Sequence, residues 1–133
     1  MSKETGLGWT TLDVDDQLGA AQDIRSDVNS FNFATPRSTL DVTGIDKSAM
    51  ERLQGLADFS IELSFTFDDA TSDSVHDCFA DLSGIRTVSL VVSGQTLNNE
   101  CLFTDYSYNR GTDGSLTGSA PAVLADGTVP TWS

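Results

Sequence analysis

Hydrophobic and polar residues alternate strictly along residues 58–68. Successive side chains of a β-strand point to opposite faces of a sheet, so this pattern predicts one apolar face and one polar face. The apolar face would carry Phe59, Ile61, Leu63, Phe65 and Phe67. The pattern therefore predicts a half-buried strand.

Five other segments are predicted to be strands, from similar alternation and from the turn residues between them. They are residues 8–15, 28–34, 86–93, 96–108 and 115–125. Ser93 and Gly94 predict a tight hairpin turn, and residues 109–114 predict a longer one. In the first strand we expect Trp9 and Thr11 to lie on one face.

Residues 46–54 have apolar residues at helical spacing. Asp46 or Ser48 could begin a helix there and Gly55 could end it, so we predict a short helix. Its buried stripe would consist of Ile45, Ala49, Leu53 and Leu56. The preceding residues 35–45 show no clear period and are predicted to be a long irregular connection.

A second short helix is predicted over about residues 73–83. The residues at helical spacing are Val75, Cys78, Phe79 and Leu82. Side-chain oxygens of residues 71–73 would cap its start, and Gly84 would end it. Residues 15–27 are rich in acids and are predicted to be a loop.

These elements predict a single domain over residues 1–133, with a long loop plus a short helix at about 35–55. The predicted fold is mainly β: an antiparallel β-sandwich or small barrel with one or two short flanking α-helices. Its core would contain Phe31, Phe33, Phe59, Ile61, Leu63, Phe65, Phe67, Val88, Leu90 and Phe103.

The net charge of the chain limits the partners that it can bind. Twenty acidic residues against seven Lys and Arg give a formal net charge of −13, and no cluster of basic residues occurs. Binding to DNA phosphates through released counterions is therefore excluded. An acidic surface can keep an abundant protein soluble or can repel a nucleic acid, and composition leaves both open.

No apolar run is long enough to cross a bilayer, and no apolar stretch follows the charged first residues as in a secretory signal. We therefore expect synthesis in a cytoplasm and no membrane partner. Cys78 and Cys101 are far apart in sequence and lie among apolar residues, so we expect both to be reduced and buried.

The residues that usually carry catalysis are scarce. The one histidine, His76, lies beside the apolar stripe of its predicted helix and is expected to be solvated; it does not share a helix face with Cys78 as a zinc pair would. Residues 13–17 begin like a calcium loop, but Leu18 and Ile24 stand where glycine and glutamate are needed. No catalytic residue, metal site or cofactor is predicted, and we do not expect an enzyme.

The polar faces of the predicted strands are uniform in character. They carry Ser30, Asn32, Ser60, Glu62, Ser64, Thr66, Asn98, Glu100 and Thr104. Such a face is either the ordinary wet side of a sheet or the lining of a water-filled channel. A channel that passes DNA should be polar and anionic, because Lys or Arg in its wall would bind the DNA phosphates and stall the passage.

The order of several segments along the chain is similar to that of a known protein family. Residues 9–11 and 23–28 lead into Phe31 and Phe33, and the block 35–53 follows. The chain continues to a hairpin at 108–116 and ends with residues 124–132. Over nearly its whole length this order resembles that of siphophage major tail-tube proteins.

The resemblance implies a structural virion protein of the phage tail, assembled in the cytoplasm of the host bacterium. It implies hexameric rings stacked into a hollow tube, with inner strands of six subunits joined in one barrel around a negatively charged lumen. It also implies partners: the chain itself, a tape measure protein, a tail terminator and distal tail proteins. DNA would pass through the tube without specific binding.

The resemblance and the polar pattern together suggest two sets of site residues. The candidates for facing the lumen are Glu62, Ser64, Thr66, Asp68, Asn98 and Glu100. The candidates for contacts between stacked rings, taken from the long predicted loop, are Arg37, Leu40, Asp41, Val42 and Ile45.

Other functions remain open at this point. A tube protein of a contractile injection system would share the fold and the assembly. A tail terminator or decoration protein would form a single ring or isolated knobs. A small acid-dependent hydrolase would need a pocket with perturbed carboxylates. A sugar-binding sandwich is disfavoured because Trp9 and Trp132 lie near the termini instead of forming a platform.

Overall fold

The computed structural model describes residues 3–133, which form one eight-stranded antiparallel sheet and a separate two-stranded hairpin. The strands are β1 (Trp9–Asp15), β2 (Ala21–Asp23), β3 (Val28–Ala34), β4 (Arg37–Asp41), β5 (Arg52–Ala57), β6 (Ser60–Thr66), β7 (Arg86–Val92), β8 (Gln95–Phe103), β9 (Ser107–Arg110) and β10 (Leu116–Leu124). A 3₁₀ turn, Gly6–Gly8, precedes β1, and the helix α1 is Val75–Phe79. Within this range no helix has the length and apolar character to span a membrane.

The large sheet folds back on itself. Its strand order is β2-β1-β7-β8-β10-β6-β3, and β9 pairs with the first half of β10. Although β1 and β3 lie near opposite ends of this order, the ring of Trp9 on β1 packs against those of Phe31 and Phe33 on β3, with centroids 4.9 and 5.8 Å apart. The sheet therefore wraps around one core, as predicted for a sandwich or small barrel.

The alternation of β6 is confirmed, because Phe59, Ile61, Leu63 and Phe65 are all buried. The predicted core residues Val88, Leu90 and Phe103 are buried as well, and Phe31 and Phe33 are half-buried against the core. Phe67 is the exception, with 38% of its surface exposed. It lies beyond the end of β6 and packs on His76 and Tyr108, with ring centroids 5.1 and 5.4 Å away.

The face predicted for the first strand is wrong at Trp9. The pairing of β1 with β7 shifts between Trp9 and Thr11, which is the mark of a β-bulge. One extra residue turns Trp9 to the side of Leu12 and Val14, the buried residues of β1. The alternation of the sequence alone does not reveal this extra residue.

The helix predicted at 46–54 does not form, and the connection predicted at 35–45 is not irregular. Residues 37–41 form β4 and residues 52–57 form β5, the two strands pair with each other, and residues 42–51 connect them. The stripe expected to be buried lies in solvent: Ile45 is fully exposed, and Leu53 and Leu56 are 57% and 87% exposed. A short helix is stable chiefly through the apolar surface that it packs against, and this segment has none in the subunit.

The second predicted helix forms but is shorter, covering five residues of α1. Its cap is Ser74 and not residues 71–73: the Ser74 hydroxyl accepts the N–H of Asp77 at 3.1 Å and donates to the carbonyl of Ala70 at 2.7 Å. Val75, Cys78 and Phe79 are buried, as their spacing predicted.

Two other boundaries differ from the prediction. The segment 96–108 is two strands, because residues 104–106 leave the ladder of β8 before β9 pairs with β10. The acidic segment 15–27 contains β2, which pairs with β1. The tight turn at Ser93 and Gly94 is confirmed, and both residues have positive φ, as the favoured two-residue hairpin turn requires.

Arg86 is a charged residue in the core, with 2% of its surface exposed. Its guanidinium donates to the carbonyl of Cys78 at 2.6 Å, that of Asp15 at 3.2 Å and that of Ser83 at 3.1 Å. It also donates to the carbonyl of Asp81. One side chain thus joins the end of β1, the end of α1 and the loop before β7.

Replacing Arg86 by Met should lower the free energy of unfolding by about 2–4 kcal/mol, because several buried carbonyls would lose their donor. Urea unfolding measures this change. The exposed Arg110 offers a matched control, and Arg110→Met should change stability by about 0.5 kcal/mol or less. Equal effects of the two replacements would contradict the role assigned to Arg86.

Candidate assembly surfaces

The hairpin of β4 and β5, residues 37–57, is called the arm. Within residues 3–133 neither of its strands pairs with the main sheet. Its tip is fixed locally: the Thr43 hydroxyl donates to the Asp41 carboxylate at 2.7 Å and accepts the N–H of Glu51 at 2.9 Å. At its base, the N–H of Asp58 donates to the carbonyl of Pro36 at 2.9 Å.

The arm has one apolar face and one polar face. Leu40 and Leu53 are directly opposite each other on the two strands, and the next pair, Asp41 and Arg52, points to the other side. Leu40 is 53% and Leu53 57% exposed, so the apolar face meets solvent in the isolated chain. An isolated two-stranded hairpin is marginally stable in water, so this face calls for a covering surface.

The arm also differs from the rest of the chain in charge. Residues 35–57 contain three acids and three basic residues, which leaves seventeen acids and four basic residues for everything else. Two copies of the chain repel each other through their bodies, whereas the neutral arm meets no such repulsion. The arm is therefore the part of the surface that a second copy can approach most easily.

All five predicted inter-ring residues lie on the arm. Arg37, Leu40 and Asp41 belong to β4, and Val42 and Ile45 belong to the tip. Sequence reasoning missed the exposed Met50, Leu53 and Leu56, because it placed this segment in a buried helix. The pairing of Leu40 with Leu53 depends on the register between two strands, so the single sequence offered no signal that could have found them.

The outer side of β9, β10, β6 and β3 is a second candidate surface, called the hydroxyl face. Pairing registers place one serine from each strand in a single row: Ser107, Ser119, Ser64 and Ser30. The adjoining row contains Asn109, Thr117 and Thr66, with the Asn29 amide 3.2 Å from the Thr66 hydroxyl. On the other side of the serine row, Glu62 lies between Pro121 and Asn32.

The structure brings most of the predicted lumen residues to one side of the sheet. Glu62, Ser64 and Thr66 lie on the hydroxyl face. Asn98 and Glu100 are on the same side of β8, as the cross-strand pair Leu102 and Val123 shows. The Glu100 carboxylate accepts the Thr87 hydroxyl at 2.7 Å.

Asp68 is separate from this surface. It lies beyond β6, and its carbonyl accepts the N–H of His76 at 3.1 Å. Its neighbour Asp27 is 8% exposed and accepts the N–H of Val75 at 3.1 Å. Burial, and then the hydrogen bond with Asp68, raise the pKa of Asp27. These contacts fasten α1 to the start of β3.

His76 was predicted to be solvated, but it is half-buried and has a hydrogen-bond partner. Its Nδ1 lies 3.1 Å from the hydroxyl of Tyr106, which lies 2.8 Å from that of Tyr108. Burial raises the pKa of both tyrosines. These three residues form a hydrogen-bonded chain beneath Phe67, in which the polar ends of the rings satisfy one another.

The remaining titratable side chains serve local structure. Asp16, from the segment that begins like a calcium loop, accepts the N–H groups of Leu18 and Ala20 at 2.9 and 3.0 Å. The Ala20 hydrogen bond is the main cause that lowers its pKa. In the described part of the chain no three His, Cys, Asp or Glu residues are grouped to hold a metal ion.

Cys78 and Cys101 are both free and buried, as predicted. Burial raises the pKa of each thiol to about 12. A thiol reacts as its thiolate, so neither residue has the character of a nucleophile in the folded chain.

Two surface grooves complete the picture. A groove of about 490 Å³ runs along β3 and is lined by Trp9, Phe31, Phe33 and Arg25. A groove of about 720 Å³ lies between the base of the arm and residues 124–129. Both are open at the surface, and neither gathers groups that could act together as acid and base.

The fold is similar to chains of known particles. One is from the virion of a native gene transfer agent (GTA) particle, with TM-score 0.76 and 15% identity over 98% of this chain and 99% of that chain. The other is from the tail of an empty GTA particle determined by helical refinement with C6 symmetry, with TM-score 0.73 and 18% identity over 98% of each chain. No family model and no curated protein match the sequence. The predicted mainly β fold of the tail-tube type is confirmed.

Asp27→Asn tests the buried carboxyl. The pKa of the Asp27 carboxyl is higher in the folded chain than in the unfolded chain, where it is near 3.8. The protonated carboxyl therefore stabilises the fold below that value, and this stability is lost as pH rises through the raised pKa. The amide oxygen of the variant can still accept the N–H of Val75. Its urea midpoint should exceed that of the unchanged protein at about pH 7, and the gain should vanish at about pH 3.

The matched control for this prediction is Asp69→Asn, because Asp69 is exposed. It should give no gain at neutral pH. A loss of stability in Asp27→Asn at neutral pH, or a gain that does not depend on pH, would show that folding does not raise the pKa of Asp27.

Proposed function

We propose that the chain is the major tail-tube subunit of a phage or phage-like particle, in which hexameric rings stack into a hollow tube. The observation that carries this proposal is its similarity, over 98% of both chains, to a chain from a helically refined tail with C6 symmetry. The proposed role is structural and involves no catalysis and no cofactor. The protein would be located in the virion tail after assembly in the host cytoplasm.

The arm supports this proposal independently of the similarity. An apolar face that is left open on the subunit must find its cover on another molecule. A contact between two different surfaces of identical copies can be repeated without limit, and it produces rings or open-ended helical assemblies. We therefore assign Arg37, Leu40, Asp41, Val42 and Ile45 to contacts between stacked rings.

The hydroxyl face, with Glu62, Ser64 and Thr66, is the proposed lining of the lumen, together with Asn98 and Glu100 on the same side of the neighbouring strand β8. Asp68 is left out because it anchors α1. Among the described strand positions of this face none is Lys or Arg, so the phosphates of passing DNA would find no cation to bind. Glu62 and Glu100 would add a weak repulsion.

The assembly partners extend this proposal. The chain itself is the main partner, through six-fold rings and their stacking. A tape measure protein inside the tube, a tail terminator and distal tail proteins at its ends would complete a siphovirus tail. Negative-stain electron microscopy of concentrated protein distinguishes the open-ended tube from the isolated ring of a terminator.

Leu53→Asp tests the arm, and Gln54→Asp on its opposite face is the matched control. Burial of a Leu side chain contributes about 1.5–3 kcal/mol, so Leu53→Asp should raise the concentration needed for tubes by about tenfold or more. Gln54→Asp should still assemble. Sedimentation and negative-stain microscopy measure this, and both variants should unfold within about 0.5 kcal/mol of the unchanged protein. Normal tubes from Leu53→Asp would contradict the role of the arm.

The double replacement Glu62→Lys and Glu100→Lys tests the lumen. Tubes should still form, because both side chains lie on the open side of the sheet. DNA delivery by particles carrying the variant should fall, since phosphates would bind to the new cations. The control replaces both residues by Gln, which should deliver DNA normally. Unimpaired delivery by the Lys variant would exclude this face as the lumen.

A further inference from the structure

The groove beside the base of the arm is called the arm-base groove. Its apolar lining comes from Pro36, Leu56, Leu124 and Val129, and its volume is about 720 Å³. Leu56 is 87% and Val129 47% exposed, so its rim is apolar and open. Asp58 and Arg37 both line the groove, and the exposed Asp126 lies between two lining residues, Ala125 and Gly127.

The arm tip, residues 42–50, has the complementary character. Ile45 is fully exposed, and Met50 and Val42 are 54% and 48% exposed. Between them lies Lys47, whose contact with Asp46 is long, at 3.9 Å, and exposed. A surface pair of this kind holds its cation weakly, so Lys47 is free to meet another carboxylate.

We infer that the arm-base groove of one copy receives the arm tip of a second copy. The inference rests on the proposed tube function and names the acceptor of the arm. Ile45 and Met50 fill the groove between Leu56 and Val129, and Lys47 faces Asp58 and Asp126. Apolar side chains that are exposed on both partners are removed from water together.

Geometry makes this contact self-propagating. The groove adjoins the base of the arm, and the tip lies up to about 30 Å away for nine extended residues. Each copy therefore offers a tip at one end of the arm and an acceptor at the other. Such a head-to-tail contact leaves a free tip and a free groove after every addition, as stacking of rings requires.

The groove along β3 is the competing acceptor, and two observations disfavour it. Its aromatic side chains already pack on one another: the ring centroids of Trp9 and Phe31 are 4.9 Å apart, and those of Phe31 and Phe33 are 6.2 Å apart. Its lining includes the cation Arg25, which would face Lys47 of an incoming tip. The lining of the arm-base groove also contains a cation, Arg37, but it adds the carboxylate of Asp58, whereas no acid lines the groove along β3.

Disulfide trapping between single-cysteine variants tests the inference. Ile45→Cys marks the tip, Val129→Cys marks the arm-base groove and Arg25→Cys, also exposed, marks the groove along β3. The natural thiols are buried, with pKa values raised to about 12, so they stay silent. Variants are mixed in pairs, assembled, oxidised and separated without reductant, and Lys47→Cys serves as a second probe of the tip.

A disulfide forms only when the two Cα atoms approach within about 7 Å. We expect the tip and Val129→Cys to give at least about ten times more linked dimer than the tip and Arg25→Cys, or than any variant alone. Tubes in the microscope with equal or reversed yields would overturn the groove assignment and leave the proposed function standing. Absence of any assembly by the unchanged protein, together with no linked dimer, would overturn both.

Discussion

The buried guanidinium of Arg86 holds together three stretches of backbone that have little else in common. A cation in an apolar core is costly unless its charge and all its donors are satisfied. Here the carbonyls of Cys78, Asp81 and Ser83 supply negative dipole ends, as the C-terminus of a helix does. The carbonyl of Asp15 adds the end of β1 to the same centre. Helix α1, far too short to be stable alone, is thereby fixed to the end of β1 and to the loop before β7.

The chain divides into a body with a buried core and an arm without one. The body packs the core residues of its strands and of α1 together and uses polar side chains to cap turns, as Asp16 and Ser74 do. The arm has regular backbone pairing but leaves Leu40, Leu53 and Ile45 in water. In the proposed tube, the apolar face left open on the arm serves association with further copies of the chain. The neutral charge of the arm, set against the acidic body, directs that association to one place.

The sequence predicted the strands wherever apolar residues alternate, because burial on one face of a sheet is what the alternation records. It failed at 46–54, where local signals for a helix start and stop are real but the subunit provides nothing for the stripe of Ile45 and Leu53 to pack against. The extra residue near Trp9, the row of Ser107, Ser119, Ser64 and Ser30, and the role of Arg86 all depend on register between distant strands. A single sequence does not specify register. The five predicted inter-ring residues all lie on the arm, although the structure predicted for that segment was wrong, and their contacts stay a prediction.

The marginal stability of a bare hairpin has a consequence for when assembly happens. Two free copies that meet must order both partners for a single contact, so their encounter is short-lived. A copy that joins an existing rim makes several contacts at once, and the template already holds its side of each contact in place. In the proposed tube this difference separates slow nucleation from fast growth. The exposed arm would then keep dilute subunits dispersed until a finished tail tip offers the first complete surface, whereas concentrated protein can nucleate tubes without one.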